Sequence, residues 1–116
     1  MNEINLIAQI IYDKKGFNIL AIDVRRVSPV TEYLIIAEGN VERHTMAIAD
    51  AIREKAKESG LQVLQSEGEQ KGDWIVFDLG SVMVHLFTPA LRQKYCLEKL
   101  WHEGVVVDLK LAKVDA

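Results

Sequence analysis

Residues 71–101 of this 116-residue chain read KGDWIVFDLGSVMVHLFTPALRQKYCLEKLW, and this stretch decides the fold. Two mostly apolar runs, 74–79 and 82–87, flank the dipeptide Gly-Ser at 80–81. A glycine in the first of two turn positions suits a type II′ turn, which joins antiparallel strands. The stretch therefore predicts a β-hairpin whose strands pair from the turn outward.

Alternation along the predicted hairpin divides its side chains between two faces. One face is wholly apolar and is predicted to lie in the core; it carries Ile75, Phe77, Leu79, Val82, Val84 and Leu86. The other face is mixed, aromatic at one end and polar near the turn; it carries Trp74, Val76, Asp78, Met83, His85 and Phe87. Such a face suits either a covering helix or the surface of a partner.

A helix is predicted to follow the hairpin. Thr88 can act as its N-cap, and Pro89 lacks the N–H that the first turn of a helix leaves unpaired. The apolar stripe of this helix, or of its end, continues to Trp101. The tail at 103–116 alternates only weakly, so we expect either an edge strand or a flexible end.

The upstream half reads as alternating helices and strands. The segments are a helix at 2–14, strands at 17–24 and 33–37, a helix at about 41–56 with Val41 on its apolar face, and a short strand at 61–66. The strand–helix–strand run 33–66 predicts a parallel, right-handed crossover. Together the segments predict an α/β domain with a mixed, mostly five-stranded sheet flanked by helices.

Composition narrows the class of protein. The length and a hydrophobic fraction of 49% fit a single domain over 1–116. With 17 acidic against 14 basic residues and a net charge of -3, no broad surface for binding phosphate backbones is expected. The single Cys96 excludes an internal disulfide and fits a reducing cytosol. No apolar segment is long enough for a bilayer, so we expect a cytoplasmic, unprocessed protein with no membrane partner. The charge balance predicts no direct nucleic-acid specificity.

The reactive residues form no recognised catalytic or metal-binding pattern. Asp78 and His85 lie too far apart along the paired strands to form an obvious relay with Ser81 in the turn. The three histidines, at 44, 85 and 102, belong to three different elements. Nucleotidyl transfer needs clustered carboxylates for magnesium, and the chain contains no Asp-x-Asp or Asp-x-Glu pair. No catalytic residue, metal or cofactor is predicted.

Several motifs resemble those of the Iojap family, the ribosomal silencing factors. The matching segments are GDW at 72–74, VHLFTP at 84–89, YCLEKLW at 95–101, DVRRVSPVTEY at 23–33 and RHTMAIAD at 43–50. The resemblance covers roughly Ile4 to Trp101 in one register. Two residues depart from the family pattern: Glu32 stands where an aspartate is usual, and Cys96 stands where the family commonly has aspartate.

The resemblance implies a function without catalysis. It implies a fold related to nucleotidyltransferases but without their catalytic carboxylates. It also implies binding to the fourteenth protein of the large ribosomal subunit, at the face that meets the small subunit. Occupying that face blocks subunit joining by steric exclusion and lowers translation when nutrients run short. A net charge of -3 is compatible with docking on a basic ribosomal protein.

We predict that the mixed hairpin face and the following helix form the docking surface. Trp74, Phe87 and Tyr95 are the expected apolar anchors, and Asp73, Asp78 and His85 the expected polar contacts. Core packing is the alternative role for Trp74 and Trp101.

Two other functions remain open from the sequence. One is a degenerate nucleotidyltransferase-like enzyme acting on a small substrate. The other is a homodimerisation module, because apolar helix stripes and an edge strand also support self-association.

Overall fold

The computed structural model describes residues 2–29, 31–95, 104–107, 109 and 111. In this part of the chain the elements are α1 (Asn2–Asp13), β1 (Phe17–Asp23), β2 (Tyr33–Glu38), α2 (Glu42–Glu58), β3 (Gln65–Glu67), β4 (Trp74–Asp78), β5 (Val82–Phe87), α3 (Pro89–Tyr95) and β6 (Val105–Val106). The predicted elements are all found in the predicted order. The largest shift in position is at β3, which begins at Gln65 and so overlaps only the end of the strand predicted at 61–66.

The strands of the described residues form one sheet in the order β3-β4-β5-β2-β1-β6. β2 and β5 run parallel, and the other neighbouring pairs are antiparallel. The prediction of a mixed sheet flanked by helices is therefore confirmed. The sheet has one strand more than the five that were mostly expected, because Val105–Val106 pairs with the C-terminal end of β1.

The crossover from β2 through α2 leads to β3, but β3 is not the neighbour of β2 in the sheet. β2 and β3 point in the same direction, but β5 and β4 lie between them, and the parallel neighbour of β2 is β5. Nearly every residue of β5 is buried, whereas two of the three residues of β3 are exposed. A strand buried on both faces belongs in the middle of a sheet, and a short polar strand belongs at its edge.

The hairpin has the predicted register. Trp74 pairs with Phe87, and the pairing continues without a slip to Asp78 opposite Met83. Leu79 N–H donates to the Val82 carbonyl at 2.9 Å, and Gly80 has a φ of 90°, as the turn requires. All six residues of the predicted core face are buried.

α1 and α2 cover this core face. Ile4, Ile7 and Ile11 of α1 and Ile48 and Ile52 of α2 lose essentially all exposure there. The expected contribution of Val41 to the apolar face of α2 is wrong. Its backbone is extended at the N-cap, before the helix begins, and its side chain is 55% exposed. No helix in the described ranges combines the length and apolar character needed to cross a membrane.

A second, smaller apolar cluster lies on the opposite face of the sheet. It consists of Ile22, Val24, Leu34, Ile36 and Phe87, with Leu20, Val27, Trp74, Met83 and Leu91 packed against it. Leu91 comes from α3, so this short helix covers part of the second face. The sheet therefore has one face under two helices and one face that is covered in part.

Candidate functional site

The register of the sheet places three rows of side chains on the face opposite α1 and α2. The rows are Gln65–Asp78–Met83–Leu34, Glu67–Val76–His85–Ile36 and Trp74–Phe87–Glu38. We call the part that lies on β3, β4 and β5 the outer face; it comprises Gln65, Glu67, Trp74, Val76, Asp78, Met83, His85 and Phe87. It contains the mixed hairpin face predicted from the sequence and adds two residues of β3.

Burial across the outer face falls from the centre of the sheet to its edge. On β5, Phe87 is 0% and His85 is 8% exposed. Trp74 on β4 is half-buried, and Glu67 on β3 is exposed. A partner approaching this face reaches β3 and β4 first.

Trp74, His85 and Phe87 form one aromatic group. The indole Nε1 of Trp74 donates a hydrogen bond to Nδ1 of His85 at 3.0 Å. The Trp74 and Phe87 ring centroids are 5.1 Å apart, and the His85 and Phe87 rings stack at 6.1 Å. These separations are typical of favourable aromatic pairs. Trp74 is thereby held in one orientation while part of its ring stays accessible.

The prediction that Phe87 is a surface anchor is wrong, because apolar neighbours such as Leu34, Ile36 and Leu91 enclose it completely. His85 is also too buried to be a main partner contact, since it is only 8% exposed and its Nδ1 accepts the Trp74 hydrogen bond. Both residues support Trp74 from β5, the neighbouring strand nearer the centre of the sheet.

His85 is a neutral imidazole at neutral pH. Burial lowers the pKa of His85 to about 4, because a charged ring would lose its hydration. Since Nδ1 accepts the Trp74 hydrogen bond, the ring proton resides on Nε2. The outer face therefore gains no positive charge from this histidine.

The two predicted aspartates lie at opposite ends of β4. Asp78 accepts a hydrogen bond from Gly80 N–H at 2.9 Å beside the turn. Asp73 precedes the strand, and its Oδ2 lies 3.7 Å from Lys71 Nζ. They are too far apart to act on one bound group. Asp78 shares the outer face with Glu67 of β3, and we call these two acids the acidic border.

Tyr95 closes α3, but its side chain lies outside the described part of the structure. The same holds for residues 96–103, over which the predicted apolar stripe continues.

Sequence reasoning missed the ion pair that holds α3 to the sheet. Arg92 Nη1 lies 3.2 Å from Glu38 Oε2, with side chains only 12% and 9% exposed. Asn18 Nδ2 donates to the same oxygen at 3.0 Å, and Arg92 also donates to the Asn18 carbonyl. These residues are 20 to 74 positions apart in the chain, so the local spacing of residues does not predict their contact. The one available signal was an acid, Glu38, at the end of an apolar strand.

The residues considered for catalysis bond to other groups. Ser81 Oγ donates to Glu3 Oε2 at 2.9 Å, Asp78 accepts from Gly80, and His85 accepts from Trp74. Within the described residues no group of three or more His, Cys, Asp or Glu side chains could hold a metal ion.

Comparison with known proteins identifies the family. A family model described as "Ribosomal silencing factor during starvation" matches residues 1–116. The ribosomal silencing factor RsfS of Bacillus subtilis (strain 168) is 41% identical over 97 residues, which cover 84% of this chain and 82% of that protein. A crystal structure of a protein from Chromobacterium violaceum aligns with a TM-score of 0.84 and 32% identity, covering 96% of this chain and 92% of that one.

A more distant relative also has a name that refers to the ribosome. The mouse protein "Mitochondrial assembly of ribosomal large subunit protein 1" is 28% identical over 102 residues, covering 85% of this chain and 45% of the mouse protein. The resemblance drawn from the motifs at 72–74 and 84–89 is thus confirmed, and this chain belongs to the ribosomal silencing factor family, whose members are ribosome-associated regulators of translation.

Proposed function

We propose that this protein binds the large ribosomal subunit through its fourteenth protein and prevents the small subunit from joining. Translation is thereby repressed when nutrients are limiting, and the protein acts in the cytoplasm. Family membership supports a ribosomal partner, and the name of the mouse relative points to the large subunit. The observation that carries the proposal is a rigid, partly accessible Trp74 on an outer face that is bordered by carboxylates.

Trp74 has the properties of a binding anchor. The His85 hydrogen bond and the Phe87 ring contact hold its indole before any partner arrives. A side chain that is already immobile loses little conformational entropy on binding. Tryptophan is also among the residues most enriched at the energetic centres of protein interfaces.

The acidic border favours a basic partner. Glu67 and Asp78 lie on the outer face, and Asp73 immediately precedes Trp74, on a chain with a net charge of -3. Complementary charge speeds encounter and orients the partner, and its effect weakens as salt screens it. A basic ribosomal protein meets this requirement.

The proposed mechanism is steric and involves no bond making. A bound protein excludes the small subunit by occupying the surface on which it docks. The hydrogen bonds that engage Ser81, Asp78 and His85 elsewhere leave no catalytic relay among them. Because the described residues contain no group of three or more His, Cys, Asp or Glu side chains that could hold a metal ion, calorimetry with magnesium and nucleotides is expected to show no saturable binding.

The test is co-sedimentation with isolated large subunits, followed by a subunit-joining assay. Trp74→Ala is expected to lose roughly 2 kcal/mol or more of binding free energy, as at a central hot spot. The matched control is Val41→Ala, which truncates an exposed apolar residue on a different part of the surface. Thermal unfolding establishes that both variants are folded. A folded Trp74→Ala protein that binds and blocks joining like the wild type would contradict the proposal.

Self-association is a second candidate function. β6 lies at one end of the strand order in the described sheet, and Val105 and Val106 are 63% and 66% exposed. An exposed apolar edge strand can pair with a second copy. Val106→Lys is expected to shift any dimer to monomer in sedimentation equilibrium, and an unchanged mass would exclude this edge as the interface.

A further inference from the structure

A small cavity opens on the outer face at the edge of the sheet. Its volume is about 210 Å³, and its walls are Gln65, Ser66, Glu67, Val76, Asp78 and Met83. Drug-sized ligands and cofactors usually occupy pockets of roughly 300–1,000 Å³. The space is better matched to one long side chain of another protein.

The walls combine an apolar floor with two carboxylates. Glu67 pairs directly with Val76, and Asp78 pairs directly with Met83, so each acid has an apolar neighbour on the adjacent strand. Lysine and arginine have the complementary form, with an aliphatic stem that packs on apolar surface and a cationic head.

None of the ion pairs among the described residues engages the two acids of the cavity. Arg53 of α2 forms an ion pair with Glu69, and Lys71 lies 3.7 Å from Asp73. Asp78 accepts a hydrogen bond from the backbone N–H of Gly80 at 2.9 Å. Beside the cavity, His85 is neutral, as described above.

We propose that this cavity binds one arginine or lysine side chain of the ribosomal partner, with its stem on Val76 and Met83 and its cation at Glu67 and Asp78. The inference rests on the proposed function and adds the chemical group that the protein recognises.

The cavity and Trp74 form two separate contact points. Trp74 and Asp78 are the first and last residues of β4, which puts them about 13 Å apart along an extended strand. An apolar contact at one point and a charged contact at the other fix the orientation of the partner. Orientation matters for a factor that acts by steric exclusion, because only a correctly placed body covers the subunit interface.

The test is a double variant that removes both charges and keeps the shapes, Glu67→Gln with Asp78→Asn. The asparagine retains the oxygen that accepts the Gly80 N–H. Its matched control is Asp50→Asn with Glu54→Gln, which removes two carboxylates from α2 on the opposite side of the sheet. Affinity for isolated large ribosomal subunits is measured at low and moderate salt, with thermal unfolding as the check on folding.

We expect the cavity variant to bind about tenfold more weakly, with a shallower salt dependence, while the control binds like the wild type. Val76→Phe, which fills the cavity without changing its charge, is expected to weaken binding as well.

Wild-type affinity in both the cavity variant and Val76→Phe overturns the cavity assignment and leaves the proposed function standing. An equal loss in the α2 control also overturns it, because general electrostatic attraction then explains the effect. A wild-type protein that fails to bind large subunits overturns both proposals. If the cavity variant instead changes only the dimer population in sedimentation equilibrium, the cation belongs to a second copy and the assignment is wrong.

Discussion

The indole N–H of Trp74 donates to Nδ1 of His85 at 3.0 Å, diagonally across the hairpin. This bond joins a partly accessible aromatic residue of the outer face to a buried imidazole. It satisfies the indole N–H and one of the two ring nitrogens of His85, and it defines both the orientation of Trp74 and the tautomer of His85. The binding anchor and the stability of the hairpin are therefore coupled.

Trp74→Phe tests the hydrogen bond itself. The variant keeps an aromatic ring but leaves His85 Nδ1 buried without this donor, so the free energy of unfolding is expected to fall by about 1–2 kcal/mol. Urea denaturation measures the change. In a His85→Leu background the same substitution is expected to cost less, because the buried acceptor is gone. Equal costs in the two backgrounds would show that the bond contributes nothing.

Stability is expected to depend on pH through His85. Its pKa is lowered from 6.5 to about 4 in the folded protein, so between these values the unfolded chain binds more protons than the folded one. The contribution is fully present above pH 6.5 and is lost as the pH falls towards 4, by about 1.4 kcal/mol per pH unit at most.

Urea titrations of the wild type and His85→Asn between pH 7 and 4.5 measure this dependence, and the difference between their slopes isolates His85 from the carboxylates. Parallel slopes would mean that His85 is accessible to protons in the folded state.

The Arg92–Glu38 pair predicts a strong asymmetry between single and double variants. Arg92→Met leaves the buried Glu38 carboxylate without its guanidinium, at an expected cost of about 3 kcal/mol in the free energy of unfolding. Adding Glu38→Gln removes the uncompensated charge, so the double variant is expected to be more stable than Arg92→Met alone. Chemical denaturation of the three proteins decides this, and strictly additive losses would exclude the pair as an energetic unit.

Two glycines with similar backbone angles are expected to respond differently to alanine. Gly60 and Gly68 have φ values of 78° and 86°, so each substitution carries the strain of a left-handed conformation, about 1 kcal/mol. A Cβ on Gly68 would also overlap the carbonyl oxygen of Trp74, whereas no described heavy atom lies within 4 Å of a Cβ on Gly60.

Gly60→Ala therefore serves as the control for Gly68→Ala, which is expected to lower the thermal midpoint much further. It is also expected to weaken large-subunit binding, because the backbone of Trp74 must move. Similar midpoints for the two variants would show that the loop at Gly68 relaxes freely.

Short-range features of the chain were predictable. The turn at Gly80-Ser81, the pairing of Trp74 with Phe87 and the helix start at Pro89 follow from turn chemistry and alternation. The family motifs are likewise carried by contiguous residues. Each of these properties depends on side chains a few positions apart, so the local sequence contains the information.

The neighbours of the hairpin were not predictable in the same way. The placement of β5 beside β2, and of β3 at the edge, depends on which strand buries both of its faces. The ion pair between Arg92 and Glu38 likewise exists only once α3 is packed on the sheet. Which elements become neighbours depends on the relative stability of contacts between residues far apart in the chain. The periodicity of the sequence does not reveal that relative stability.

The sequence by itself determined the hairpin, its core face and the family. Only the tertiary structure decided which residues of the mixed face a partner can reach. Phe87 and Trp74 are paired aromatic residues on that same face, yet Phe87 is wholly enclosed and Trp74 is partly accessible. The difference arises because β5 is central and packs beneath Leu91, while β4 lies nearer the edge, and burial depends on neighbours that are distant along the chain.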